Sequence, residues 1–260
     1  MKISYTIYAL MTGLLLLSGC SKGKEEFYYK ESVVPVRMKG YNGSDDFLEI
    51  KLDTFRFDYP PNQPFDYTVA WSFTGSQDNV ALRVSEKTTG KLVLEQILKK
   101  NDGFVKVGFL YLDGKRSDLP EPPAIEEGKV KIRYLFRPTL TNYGEPVDIA
   151  LVKYYAIPKV FEEVGRLKNV KPNEVSDVIS IPTFSTDGQQ YNGQNTPVLF
   201  RAYIYKAGTN QFYTQGTNYT WHATSSKVPL PSPSVTSAGV YVFCEDYLGN
   251  SIRFTKNLEL

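Results

Sequence analysis

The chain has 260 residues, which is enough for one large domain or two ordinary domains that each bury a core. Its 30 Lys and Arg residues nearly balance its 28 Asp and Glu residues, which excludes the strong positive field typical of nucleic-acid-binding proteins, so we expect no nucleic-acid partner. Tyrosine and phenylalanine are abundant, at 19 and 15 residues, and aromatic side chains favour the half-buried surface of a β-sheet.

Residues 1–19 have the anatomy of a cleaved leader. Lys2 supplies the positive charge, and residues 3–17 form an apolar stretch that is too short for a comfortable membrane span of ~20 residues. The stretch ends in Leu-Ser-Gly-Cys, which resembles the lipobox of bacterial lipoproteins. The resemblance implies cleavage before Cys20, a lipid on its sulfur, and a membrane as partner through that lipid anchor. An ordinary signal peptide with a chance cysteine is the alternative.

A short tether is predicted after the cleavage site, at residues 20–26. Its small and charged side chains carry no apolar content, so the segment is expected to stay solvated. A charged segment directly after the lipidated cysteine also resembles the export tag of surface lipoproteins in glycan-foraging Gram-negative bacteria, although Lys22 and Lys24 dilute the acidic run here. The resemblance implies an outer-membrane location and exposure at the cell surface. A periplasm-facing orientation stays open.

A first β-sandwich is predicted over residues 27–157. Apolar and charged residues alternate over residues 48–52, which is the pattern of a half-buried strand, and a turn or bulge after Asp53 accounts for the change of phase there. A proline-rich stretch at residues 119–123 predicts a loop. Further strands, separated by turns that contain Gly, Asn and Asp, are predicted at residues 67–73, 80–84, 92–98, 104–112, 130–137 and 148–157.

Residues 158–182 interrupt this rhythm and are predicted to connect two domains. Apolar residues there fall at near-helical spacing, but Gly165 intervenes and the stretch covers barely three turns, so at most a short helix is indicated. A second domain is predicted over residues 183–260. Its strands are expected at residues 197–205, 219–224, 239–245 and 251–260.

The end of the second domain resembles a known kind of module. The run that begins at Gly239 reads Gly-Val-Tyr-Val-Phe-Cys-Glu-Asp and is followed by a Gly249-Asn pair and a final strand. This resembles the closing hairpin of bacterial immunoglobulin-like and polycystic-kidney-disease-like modules, whose tyrosine and core tryptophan Tyr219 and Trp221 match. The resemblance implies an immunoglobulin-like sandwich, and hence an all-β chain with two tandem β-sandwich domains. It implies little about function, because such modules serve as spacers, adhesins and binding platforms.

The residues that usually carry catalysis are not arranged as a site. His222 follows Trp221 on a predicted strand and points to the opposite face, so we expect a surface histidine rather than a general base. Paired carboxylates are interpreted as solvated charges, because neighbours on a strand point to opposite faces and do not form an acid–nucleophile pair. These pairs stand at residues 45–46, 126–127, 162–163 and 245–246.

Metal and cysteine chemistry are not indicated either. Residues 45–46 and 245–246 offer oxygen ligands that suit calcium, but the sequence lacks a recognised calcium loop. With Cys20 acylated, Cys244 has no disulfide partner, and its strand pattern predicts a small buried apolar side chain. The sequence predicts no catalytic residue, no metal site and no cofactor.

Aromatic residues offer the best candidate for ligand binding. Phe212, Tyr213 and Tyr219 stand among Gln, Thr and Asn residues, and flat rings beside amide and hydroxyl groups are what stacking on a sugar requires. The alternative is that these rings plug a loop onto the sandwich, since aromatic residues also dominate sandwich cores.

These features favour a non-catalytic, membrane-anchored surface lipoprotein. It would act as a binding module or spacer, with a glycan or another surface protein as partner. A subunit of an adhesin or filament is the alternative, because sandwiches with free edge strands are suited to strand addition. A hydrolase that uses Asp and Glu ranks third, because no motif supports it.

Overall fold

The computed structural model describes residues 32–260, and these residues form 18 β-strands in five sheets. No helix among them is long and apolar enough to cross a membrane. The predicted all-β architecture of tandem sandwiches is confirmed. The leader, the tether and Cys20 lie outside the described residues.

The first sandwich is built from two sheets whose apolar faces meet. Along β1, Val34, Val36 and Met38 alternate into this core, as the period-two geometry of a strand requires. One sheet has the order β3-β2-β5-β6 and the other β4-β1-β7-β8. The strands are β1 (Ser32–Gly43), β2 (Leu48–Leu52), β3 (Phe55–Tyr59), β4 (Gln63–Phe73), β5 (Asn79–Glu86), β6 (Leu92–Lys99), β7 (Val105–Leu112) and β8 (Lys115–Asp118).

The second sandwich pairs a five-stranded sheet, in the order β12-β9-β17-β18-β16, with a three-stranded sheet, in the order β11-β10-β15. A small separate hairpin, β13 and β14, lies between β12 and β15 in the chain. The strands are β9 (Lys129–Arg137), β10 (Val147–Tyr155), β11 (Val160–Val170), β12 (Ile179–Pro182), β13 (Gln190–Tyr191), β14 (Gln194–Asn195), β15 (Val198–Lys206), β16 (Thr220–Trp221), β17 (Ser237–Leu248) and β18 (Ser251–Glu259).

Two strong sequence patterns match their elements. Leu52 pairs with Phe55, and Asp53 has a φ of 54°, so the change of phase after β2 is a tight hairpin turn. The closing hairpin is present as β17 and β18, joined by the turn at Gly249, whose φ is 60°. The strand predicted over residues 219–224 is reduced to the two residues of β16.

The two cores divide the chain earlier than expected. Strands β9 and β10 were placed with the first sandwich, but their inward side chains share one core with β11, β15 and β17. The reason is long-range pairing: β9 lies parallel to β17, more than 100 residues away, which no local pattern reveals. The change from one core to the other therefore falls at residues 119–128, which include the proline-rich loop.

Residues 158–182 are not a simple connection, because they contain β11 and β12. Beside β10, the register of β11 shifts twice, between the partners of Val147 and Ile149 and between those of Leu151 and Val152. Each shift adds one unpaired residue to β11, and this converts a spacing of two into a spacing of three, as between the core residues Leu167 and Val170. The apparent helical period of this segment is therefore the period of a bulged strand.

The two sandwiches meet through a third apolar cluster. Tyr41 and Leu110 of the first sandwich pack against Leu135, Val242 and Leu258 of the second. Because Tyr241 and Phe243 face the core of the second sandwich, β17 is covered on both faces, as its uninterrupted apolar pattern predicts. The sheets therefore stack as four layers.

Candidate functional site

The outer face of the sheet β11-β10-β15 is unusually apolar for a surface. Register defines this face: Ala150 on β10 lies beside Arg166 on β11 and Tyr203 on β15. Ala150 and Val152 point away from the core, yet both are buried, because aromatic side chains cover them. The outward face of an antiparallel sheet normally meets water. An aromatic layer on this face therefore indicates an interaction site.

The covering layer is a group of stacked rings. Phe212 stacks on Trp221 with a centroid distance of 4.9 Å and an interplanar angle of 6°, and Tyr205 stacks on the other side of Phe212 at 5.1 Å. Tyr203 contacts Trp221 at 5.8 Å and Phe161 at 5.5 Å. Such contacts hold the rings in fixed orientations.

These rings line an open cavity of about 580 Å³, which we call the aromatic cleft. Phe161 at its rim is 54% exposed, whereas Tyr203 at its floor is 8% exposed. The size lies within the range usual for small-ligand sites, and apolar rings with a few fixed polar groups are the usual lining of such sites. The residues around the cleft are Val152, Phe161, Glu163, Arg166, Tyr203, Tyr205, Asn210, Phe212, Trp221 and Ala223.

Arg166 supplies the fixed polar wall of the cleft. Its Nε and Nη2 donate to the two carboxylate oxygens of Glu163 at 3.0 and 2.7 Å. Nη1 donates to the Thr209 carbonyl at 3.0 Å, Nη2 to Asn210 Oδ1 at 2.8 Å, and Nη1 lies 3.5 Å from Asp148. The guanidinium also lies over the Tyr205 ring, 5.3 Å from its centroid. The hydrogen bonds that Arg166 donates to Glu163 raise the pKa of Arg166, so its charge is permanent.

The two tyrosines of the cleft stay protonated at neutral pH. Burial raises the pKa of Tyr203 to about 12, and burial also raises the pKa of Tyr205, although the Arg166 charge opposes that shift. Both hydroxyls therefore remain able to donate as well as accept hydrogen bonds.

The structure separates the three aromatic residues that the sequence grouped. Phe212 lines the aromatic cleft. Tyr213 is fully buried and its hydroxyl donates to Glu245 at 2.7 Å, so its predicted role in ligand contact is wrong and the alternative, a ring that plugs its loop onto the core, is right. Adjacent residues on an extended segment point to opposite sides, which explains why only one of the pair faces outward. Tyr219 is half-buried and does not line the cleft.

Sequence reasoning missed Phe161, Tyr203, Tyr205 and Arg166. The only available signal was in β15, where Leu199, Arg201, Tyr203 and Tyr205 alternate with the inward residues. That signal was weak, because both faces of β15 carry apolar residues and the sequence does not indicate which face meets solvent.

His222 is a surface residue, as expected. It is exposed, and its Nδ1 accepts hydrogen bonds from the backbone N–H groups of Thr224 and Ser225 at 3.4 and 3.2 Å. The ring therefore caps a local turn. Cys244 is half-buried rather than fully buried, and burial raises the pKa of its thiol, which opposes thiolate chemistry.

Several of the paired carboxylates are held by neighbours, and one of them corrects the prediction. Asp46 accepts from Thr88, and Asp246 pairs with Arg253. Glu245 was expected to be a solvated charge but is 4% exposed, because two loops close over it. Within residues 32–260, no group of three or more His, Cys, Asp or Glu side chains is placed to hold a metal ion.

Comparisons with known proteins give little resemblance. No protein-family model matches the chain, and no curated protein matches it. Among solved structures, it is similar to a carbohydrate-binding module of family CBM26 from Eubacterium rectale, crystallised in complex with maltoheptaose. The TM-score is 0.23 and the identity 13%, over 87% of this chain and 97% of that chain. The assignment of the site therefore rests on the residues of this chain.

Proposed function

We propose that the chain is a non-catalytic glycan-binding protein and that the aromatic cleft is its sugar site. The main support for this proposal is the layer of fixed rings on the outer face of the sheet β11-β10-β15. The layer exposes apolar surface to solvent beside immobilised hydrogen-bonding groups. Apolar faces of sugar rings pack on aromatic rings, and their hydroxyls need donors and acceptors at the rim.

The charges of the cleft support binding rather than catalysis. Both carboxylate oxygens of Glu163 accept hydrogen bonds from Arg166. Asp148 accepts from the backbone N–H groups of Asn169 and Gly208 at 3.0 and 3.1 Å. A general acid or a nucleophile needs a carboxylate that is free to meet the glycosidic bond. These two carboxylates instead fix the wall of the cleft.

Truncation of rings in the cleft tests this function. Phe161→Ala and Phe212→Ala should each weaken binding of a recognised polysaccharide by about 2- to 10-fold, because the first removes an exposed ring surface and the second removes the ring that holds Tyr205 and Trp221 in place. Phe104→Ala removes a ring of similar exposure from the first sandwich and is the matched control. Calorimetric titration of the purified full chain against α-linked and β-linked glucans, xylans and mannans gives the affinities. Equal losses in all three variants, or no binding to any glycan, would contradict the proposal.

We also propose that the protein is held on a membrane through a lipid on Cys20. The lipobox-like leader and the charged residues after it support this location. Cys20→Ala should abolish incorporation of labelled fatty acid and leave an uncleaved or soluble protein, whereas Cys244→Ala should leave labelling unchanged. Equal labelling of the Cys20 variant and the native chain would disprove the anchor.

A further inference from the structure

We propose that the site binds a chain of neutral sugars rather than a single sugar, with Arg166 as a fixed ridge between two subsites. This inference rests on the proposed function. On the other side of Arg166 and Glu163 lies a second cavity of about 350 Å³, which we call the polar recess. The recess is lined by Asp148, Glu163, Arg166, Lys168, Asn169 and Gly208, so the two cavities share the Arg166–Glu163 pair.

The length of the groove exceeds one sugar ring. It follows β11 from Phe161 in the aromatic cleft to Asn169 in the polar recess. From Phe161 to Asn169 the chain takes eight steps, and two of these are bulges that add no length along the strand. The remaining six steps cover about 20 Å. A six-membered sugar ring is comparable in size to one tyrosine ring, so several units in a row fit along this path.

The ridge is rigid because Arg166 has no free donor. Its guanidinium has five N–H groups, and these meet Glu163 twice, Thr209, Asn210 and Asp148. The Arg166 side chain is 16% exposed and that of Asp148 is 2% exposed. A ligand therefore meets a planar group that is already oriented and needs no rearrangement.

The charges around the ridge favour a neutral ligand. Glu163 and Asp148 compensate the positive charge of Arg166 at 2.7 and 3.5 Å, and the exposed Lys168 brings the sum of the four charges to zero. A uronate or sulfate that pairs with Lys168 also meets the carboxylate of Glu163, and like charges repel. Neutral hydroxyls meet no such repulsion, so the matching ligand is an uncharged oligosaccharide.

Hydrogen-bonding groups remain available in the recess. Lys168 and Asn169 are exposed there, and Asn169 engages Asp148 only through its backbone N–H, which leaves its side-chain amide to a ligand. The two subsites therefore use different contacts. Aromatic rings bind the sugars in the aromatic cleft, and amide and ammonium groups bind the sugars in the polar recess.

A length series separates the two subsites. The purified full chain is titrated with the disaccharide, tetrasaccharide and hexasaccharide of whichever neutral glycan it binds. The test variant is Lys168→Ala with Asn169→Gly, where glycine tolerates the φ of 54° at position 169. Lys171→Ala, which removes an exposed cation beyond the end of β11, is the control.

The native chain should bind the hexasaccharide at least tenfold more tightly than the disaccharide. The double variant should lose about 5- to 10-fold for the hexasaccharide and keep its disaccharide affinity. A native affinity that does not rise with length, or a double variant that loses the same factor for every length, would overturn the two-subsite arrangement. A uronate-containing chain that binds as tightly as the neutral one would overturn the selection against charge. Failure of every oligosaccharide to bind would instead refute the proposed function itself.

Discussion

Replacement of Glu245 by alanine should lower the free energy of unfolding by about 3–4 kcal/mol. The buried carboxylate accepts from the backbone N–H groups of Leu140 and Thr141, both at 2.7 Å, and from the hydroxyls of Thr141 and Tyr213 at 2.6 and 2.7 Å. One side chain thus joins the loop after β9, the loop after β15 and strand β17. Its removal leaves buried donors without acceptors, and each such donor costs more than the bond itself contributed.

The chain offers two matched comparisons for this variant. Glu245→Gln keeps the shape and one acceptor oxygen but turns an amide N–H₂ toward existing donors, so its loss should be intermediate. Asp246→Asn changes the neighbouring, more exposed carboxylate, which pairs with Arg253, and should cost under about 1 kcal/mol. Urea denaturation measures all three. A Glu245→Ala protein as stable as Asp246→Asn would show that the loops close without this carboxylate.

Replacement of Arg137 by alanine should cost about 2–4 kcal/mol and weaken the coupling between the sandwiches. Arg137 ends β9 in the second sandwich and is 6% exposed. It donates to the Tyr41 hydroxyl at 3.1 Å and to the Gly43 carbonyl at 2.8 Å, both in the first sandwich. The guanidinium thus supplies buried polar contacts beside the apolar cluster of the interface.

The predicted signature is a change in the shape of thermal unfolding. The native chain should unfold in one calorimetric transition, and Arg137→Ala should separate it into two, one for each sandwich. Arg137→Lys should behave almost like alanine, because an ammonium cannot reproduce the planar fork. Arg133→Ala is the control, since Arg133 on the same strand bonds Ser176 within its own sandwich. A single unshifted transition in Arg137→Ala would contradict this role.

Local patterns in the sequence predicted local structure well. The hairpins at Asp53 and Gly249 follow from alternation and turn chemistry between neighbouring residues. The boundary between the two cores could not be predicted from local patterns, because β9 pairs with β17 across a large separation in sequence. Strand β11 was obscured because its bulges imitate a helical spacing.

The candidate site was predicted only in part, for the same reason. Phe212 could be selected by its polar neighbours, but Arg166 and Tyr203 become neighbours of Ala150 only through the registers of three strands. The contrast between Phe212 in the cleft and Tyr213 in the core depends on which way one extended segment faces. That direction is fixed by the Tyr213–Glu245 hydrogen bond, whose partners are 32 residues apart.

The most direct measurement uses Trp221 as a reporter of the cleft. The chain has two tryptophans, so Trp71→Phe leaves Trp221 as the single tryptophan, stacked on Phe212 and lining the aromatic cleft. Titration of this variant with a glycan that gives heat of binding should shift or quench the Trp221 emission, with the same dissociation constant in both measurements. Heat of binding with no change in that emission would place the sugar elsewhere and contradict the assignment of the aromatic cleft.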